Sequence, residues 1–446
     1  MRLQRRLAAV VVCLFALSLL PETPGLAAGA VATAPGSAST APGAGAPGSA
    51  VPAPSVALVG GEAAIAGAIP GVFAEAAPAG QAAEPTPSAD LAPGAAGAVL
   101  MDAASGQVLW AKDANARRPA ASVTKLMTMA VVLDAISSGR VKWTDQVSAS
   151  EEAAHTGGAQ IWLELGETMS VRDLFYAVAV QSANDAAVAL AAYVGGTQEQ
   201  FIQLMNAKAQ ALGMRDTLYT DPDGLDDTHQ YTSAYDVALL SRYLVTAHPE
   251  VLQYTSTWEY RLRAGKLWLV NRNKLLTRLP GADGLKTGFT TRAGYCLAAT
   301  ARRGPTRLIS VVLGDPTGPA RFNDSSSMLQ WGFSNYTTVA VADAASAVAH
   351  VPVDGGVAAA VALRPQSSFG VTVPRGREKS VTTRITRPAL LSAPLRAGQA
   401  VGEISVSVDG RAVGAVPLVA AAAVPSVGGF RLWLRIWAGL WPWLRR

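Results

Sequence analysis

Three short stretches carry side chains that could do chemistry together. In Ser122-Val-Thr-Lys125 a serine and a lysine stand three residues apart. On a helix, positions i and i+3 share a face with Cβ atoms ~5–6 Å apart, so the amine can reach the hydroxyl. If burial lowers the lysine pKa, the neutral amine can take the serine proton and leave a nucleophile. The ordinary alternative is a capping serine beside a lysine that snorkels to solvent. Lys125 heads an apolar run from 122 to 136, where an idle charge is costly. Ser182-Ala-Asn184 follows sixty residues on, between two helical runs; serine and asparagine there also suit an ordinary helix cap. Lys286-Thr287-Gly288 falls in a predicted strand. A glycine lets another backbone come close, so Lys286 could stand on a sheet edge beside a bound peptide, or be a solvated strand lysine.

These residues need a scaffold, and the pattern supplies one. Globular sequence begins at Gly94. Residues 97–101 and 107–110 flank a turn as strand–turn–strand. The run 122–136 is apolar on nearly every face, which predicts a buried helix. Helical sequence continues to about 245, and strands follow at 286–290, 294–302 and 307–314. Strands with helices on either side of them in the sequence predict an α/β or α+β domain over about 94–340. From about 345 to 422, short alternating Val-rich runs separated by Gly and Pro predict a small all-β domain with no cluster of reactive side chains.

The remaining segments have other uses. Residues 1–30 have a basic start, an apolar run from 7 to 20 and small residues after Pro24, the pattern of a secretory signal peptide. Residues 31–93 are almost entirely Ala, Gly, Pro, Ser, Thr and Val, which predicts a flexible linker. Residues 430–446 read FRLWLRIWAGLWPWLRR. On a helical projection Trp433, Leu434, Trp437, Leu440 and Trp441 share one face, and Arg431, Arg435, Arg445 and Arg446 fall opposite, which predicts an amphipathic helix lying on a membrane surface.

Charge and cysteine content narrow the classes. The formal net charge is +5 over 446 residues. The first thirty residues hold +2 and the last nineteen +4, which leaves −1 for the body. A near-neutral body excludes a nucleic-acid binder, which needs a basic face. With Cys13 in the signal segment, Cys296 is the one cysteine expected after export, so no internal disulfide is expected. It reads as a small buried apolar side chain. His155, His229, His248 and His350 have no metal-ligand spacing and read as surface or loop residues, so no metal or cofactor is expected.

Each motif is weak alone; the ordered set S-x-x-K, S-x-N, K-T-G is strong. With it the chain resembles the penicillin-recognising serine enzymes. Within them it is similar to the low-molecular-weight D-alanyl-D-alanine carboxypeptidases, peptidase family S11. Asp223-Gly-Leu225, Asn271-Arg-Asn273, Asp283-Gly-Leu-Lys-Thr-Gly288 and Ala293-Gly-Tyr-Cys296 agree with that family, and the resemblance covers about 94–446. The family's second motif often has Gly where Ala183 stands, and in some relatives His where Phe289 stands.

The resemblance implies an α+β transpeptidase/β-lactamase-like domain and a role for each residue. Ser122 would be the nucleophile on a peptidoglycan stem peptide and Lys125 its general base. Ser182 would relay a proton to the leaving D-Ala, Asn184 would hold Lys125 and the substrate amide, and Lys286 would tune Ser182. Thr287 and Arg272 would bind the terminal carboxylate. Gly288 would admit the substrate backbone, and the N–H groups of Ser122 and Phe289 would form the oxyanion hole. β-Lactams would be covalent inhibitors, and the enzyme would sit on the outer face of the cytoplasmic membrane. The competing readings are a serine β-lactamase and a non-catalytic wall-binding protein. The first lacks the E-x-x-L-N pattern of a deacylating glutamate, and the second does not explain three intact motifs.

Overall fold

A computed structural model describes residues 90–225 and 228–428. The expected signal segment, the linker as far as residue 89 and the amphipathic tail 430–446 lie outside the described residues.

The region that carries the three motifs is built on one antiparallel five-stranded sheet in the order Val108–Lys112, Gly97–Asp102, Thr306–Asp315, Gly294–Arg303, Ala282–Thr290. The first hairpin therefore pairs with the last strand of the region, and Ala282–Thr290 is left as an edge. Side chains alternate between two cores, as pleating requires. Val99 and Met101 join Ala298 and Val311 beneath the helices Lys125–Ser137 and Ala234–Ala247. Ala98 and Leu100 join Leu297, Leu308, Leu329 and Phe333 beneath the helix Gly318–Asn335. With both faces covered, the three inner strands are near-continuous apolar runs rather than alternating ones.

The expected buried helix is present with one difference. Ala121–Thr124 forms a 3₁₀ turn, and the α-helix proper is Lys125–Ser137. Ala121 has a left-handed backbone (φ 49°), and Gly224 packs against its carbonyl, so the chain enters by a tight turn before the α-helical ladder begins. Residues 90–93, which composition places in the linker, are packed: Ala92 is fully buried, and Lys112 Nζ donates to Asp90 Oδ2 (2.7 Å) and to the Ala92 carbonyl (3.0 Å). Alanine is small enough to serve as either linker or core, so composition alone could not separate the two.

The trailing region is all β. Tyr336–Ala342 pairs with Phe369–Pro374, and a six-stranded sheet includes Val381–Thr386, Ala400–Val408 and Arg411–Ala420. Ile404, Val406, Val416 and Leu418 pack at alternate positions with Val371 and Val373. Asp409-Gly410 makes the two-residue hairpin turn with both φ values positive, the Asp-Gly type I′ geometry that suits the twist of the strands. Fold class thus agrees with the sequence reading. His248 lies in a loop between helices, as expected, but is buried rather than facing solvent: with Nε2 2.8 Å from Asp134 and Nδ1 3.3 Å from Glu250, it cross-links helix ends.

Candidate active site

The 3₁₀ turn puts Ser122, half-buried, directly before the helix that Lys125 opens. Lys125 is fully buried. Its Nζ donates to Ser122 Oγ (3.2 Å), to Asn184 Oδ1 (2.6 Å) and to the backbone carbonyl of Asp223. Burial pulls its pKa down to about 8, against the pull of the Asp223, Asp221 and Asp185 charges. The Asp223 carbonyl is held by a tight loop in which Asp221 accepts the Asp223 N–H (2.9 Å). A buried amine with a partly populated neutral form, beside a hydroxyl, is the arrangement that general-base activation of a serine needs.

Ser182 arrives by an unusual route. The helix Val171–Tyr176 ends in a π-helical turn, Ala177–Gln181, and Ser182 follows in left-handed conformation (φ 68°). π-Turns and left-handed non-glycine residues concentrate at functional sites. The strain turns Ser182 Oγ to Lys286, whose Nζ donates to it (2.8 Å) and to the Thr287 carbonyl (2.9 Å). Lys286 is buried, and its pKa is driven well below the usual lysine value by burial and by the charges of Lys125, Arg321 and Arg272. The site therefore holds two buried lysines, each on a different serine.

The edge strand brings the third motif to the first. A Cβ on Gly288 would stand 2.7 Å from the Ala120 carbonyl and 3.1 Å from the Ser122 nitrogen, so only glycine lets the strand lie this close to the serine turn. Thr287 is buried, while Phe289 is half-exposed and stacks on Tyr295 (centroids 4.3 Å apart). The strand pairs on one side only, so its other side carries backbone donors and acceptors that an extended peptide can meet. Arg272 is exposed between two buried asparagines. Asn271 Nδ2 donates to the Thr257 carbonyl (2.9 Å), and Asn273 Nδ2 to the Gly284 carbonyl (3.0 Å). The flanking asparagines lock the backbone that presents the arginine.

All the residues singled out from sequence thus gather in one place, except that no side-chain hydrogen bond among the described residues ties Arg272 to the other motifs. The motifs did not announce Arg321. From the first turns of the helix Gly318–Asn335 its Nη1 donates to the Gly288 carbonyl (2.7 Å) and the Cys296 carbonyl (3.3 Å), beside the Tyr295 ring. It adds a second arginine to the cationic end of the site. Only the sheet order, which sets Thr306–Asp315 beside Gly294–Arg303, could have pointed to it. Cys296 is fully buried, its thiol pushed up to about 11, consistent with an inert apolar role.

A family model described as D-alanyl-D-alanine carboxypeptidase of peptidase S11 matches residues 82–317, and one for the C-terminal domain of penicillin-binding protein 5 matches residues 336–426. This chain is a member of peptidase family S11. It is a serine-type D-alanyl-D-alanine carboxypeptidase. The D-alanyl-D-alanine carboxypeptidase DacF of Bacillus subtilis is 37% identical over 356 residues, 79% of this carboxypeptidase and 91% of that one. Penicillin-binding protein 5 of Haemophilus influenzae is similar in structure, with TM-score 0.62 and 35% identity over 76% of this carboxypeptidase and 99% of that chain. Penicillin-binding protein D2 of Listeria monocytogenes, solved in an ampicillin-bound form, has TM-score 0.50 and 36% identity over 54% of this carboxypeptidase and 97% of that chain.

Proposed function

We propose that Ser122 attacks the carbonyl of the penultimate D-Ala of a peptidoglycan stem peptide, with Lys125 as base, and that the terminal D-Ala leaves. The observation that carries this is the fully buried Lys125 amine 3.2 Å from Ser122 Oγ. Ser182, hydrogen-bonded to Lys286, relays to the leaving amine the proton that Lys125 took from Ser122. Thr287 and Arg272 take the terminal carboxylate, where an arginine offers a two-pronged fit. The N–H groups of Ser122 and Phe289 hold the oxyanion, each such donor being worth ~10²–10³ in rate. Water then releases the shortened peptide.

β-Lactams react at the same serine in this reading; the ampicillin-bound Listeria relative supports it. Mapping a fluorescent-penicillin adduct tests it: an adduct on Ser122 is expected, and one on Ser182 would refute the assignment. With the Lys125 pKa at about 8, the acylation rate rises about tenfold per pH unit below that value and flattens above it, because the neutral amine is the active form.

We also propose that residues 1–30 direct export and that residues 430–446 hold the enzyme on the outer face of the cytoplasmic membrane. Trp and Leu burial at ~25 cal/mol per Å² and about 1 kcal/mol per Arg near an anionic surface favour binding. Vesicle sedimentation of the mature protein, against a form truncated after Gly429, tests the anchor. Truncation is expected to abolish binding to anionic vesicles and to spare peptide hydrolysis.

A further inference from the structure

Residues 157–163 form a loop beside Asn184 that the mechanism above does not use. The Asn184 amide meets the loop twice. Its Nδ2 donates to the Gly157 carbonyl (2.7 Å), and its backbone N–H donates to the Ala159 carbonyl (2.7 Å). Its Oδ1 is left for Lys125 (2.6 Å). An amide end has nearly the same shape either way round, so its partners decide which atom points where. With Nδ2 taken by Gly157, Asn184 presents an acceptor to Lys125. Flipped, it would set a donor against the ammonium.

The loop is gripped from two sides. Asp185, fully buried, accepts the N–H groups of Ile161 (3.0 Å) and Leu163 (3.1 Å). Arg263 lies at the tip of the hairpin formed by Glu259–Leu262 and Leu267–Val270. Its Nη1 donates to the Ile161 carbonyl (2.7 Å) and its Nη2 to the Trp162 carbonyl (3.0 Å). Its Nε and Nη2 also fork the Glu167 carboxylate at 2.7 and 2.8 Å. Ile161 is therefore held at its N–H by Asp185 and at its carbonyl by Arg263. Between the two grips, Trp162 is left-handed (φ 55°) although the residue is 64% exposed. Arg263 and Ala264 are left-handed too (φ 50° and 53°). Non-glycine residues persist there only where their surroundings over-determine them. An exposed residue demands no such turn; the hydrogen bonds do.

We propose that Arg263 and Asp185 are positioning residues: they clamp the 157–163 loop, and the loop fixes the Asn184 amide so that its oxygen faces Lys125. The inference rests on the reading of Lys125 as the base. The test uses the full chain and measures the rate of acylation by fluorescent penicillin across a pH series, alongside thermal melts. Arg263→Gln is expected to slow acylation by about 10–100-fold, the scale of a small misplacement near the chemistry. It is also expected to move the acid limb of the profile to lower pH, because an ammonium that loses an acceptor gives up its proton more easily. Arg263→Lys keeps the charge but not the fork, and is expected to follow the glutamine variant. Glu167→Gln loosens the grip without touching the loop carbonyls, and gives a smaller shift of the same sign should Arg263→Gln not fold. Slower acylation with an unmoved acid limb in the folded variants would make the clamp merely structural and overturn the proposal; so would acylation within about twofold of the unmutated enzyme. Failure of the reading beneath it is seen separately, on the unmutated protein, as an adduct away from Ser122.

Discussion

The two halves of this molecule bury different things. The catalytic region encloses Lys125, Lys286, Asp102, Asp185, Asp236 and Asp315, each nearly or wholly out of water. In the trailing β region no charged side chain is buried among the described residues; the buried polar ones are Tyr336 and the threonines Thr338 and Thr372, which hydrogen-bond to each other (2.7 Å). A buried charge is costly unless partners satisfy it, and Lys125, Lys286 and Asp185 are each hydrogen-bonded to such partners. Where the fold accepts that cost, the two lysines of the motifs sit. Where it does not, alternating valines and leucines make a plain apolar core that holds no chemistry.

Substitutions can break this contrast or sharpen it. The largest effect is expected from Lys125→Ala: acylation falls by at least about 10³-fold, the scale of removing a member of a catalytic set. The thermal midpoint holds or rises, because the variant loses a buried charge along with its function. Near-normal labelling of a folded variant would show that another base, such as Lys286, suffices. Gly288→Ala comes next. A methyl 2.7 Å from the Ala120 carbonyl pushes the strand off the serine turn, and acylation is expected to fall by about 10²-fold, with about 1–3 kcal/mol of stability lost to the overpacking. On the other side of the contrast, Leu418→Ala removes a fully buried side chain of the β region. A loss of ~2–5 kcal/mol is expected in denaturant titration, with the acylation rate unaltered. A change in rate would show that the two regions are coupled.

The smallest effect expected concerns Asp315. Burial and the neighbouring Asp324 carboxyl push its pKa up to about 7. A carboxyl that holds its proton more tightly folded than unfolded stabilises the fold fully below about pH 4, and that contribution is lost as pH climbs through about 7. Asp315→Asn is therefore expected to raise the melting midpoint by a few degrees at pH 8 and to flatten its dependence on pH. An unchanged pH dependence would show that the Asp315 carboxyl does not hold a proton there.

The same contrast governs what could be read in the sequence. Strands such as Ala400–Val408 were legible because one covered face, with Ile404 and Val406, enforces alternation and Asp-Gly marks the turn. The three motifs were legible because the chemistry restricts residue type at fixed spacing. Arg321, Arg263 and the Asp223 carbonyl were not, for three separate reasons. Arg321 reaches the site through strand order, which is set by pairings distant in sequence. Arg263 acts on backbone carbonyls, which any residue supplies. The Asp223 contribution comes from its main chain, so its side-chain identity carried no signal. The left-handed turn at Ser182 was hidden too, since that conformation ordinarily goes with Gly, Asn or Asp and a serine gives no sign of it.

The half-paired strand Ala282–Thr290 has one more consequence. An open sheet edge is an invitation to aggregation, because a second copy can add its own edge in register. Here Lys286 and Thr287 are buried and Gly288 lies against the serine turn, so most of that edge is walled off from anything as broad as a sheet. What stays open lies around Phe289, about half exposed near the end of the strand. The enzyme can thus keep a strand-shaped vacancy for its substrate without offering the same vacancy to its neighbours.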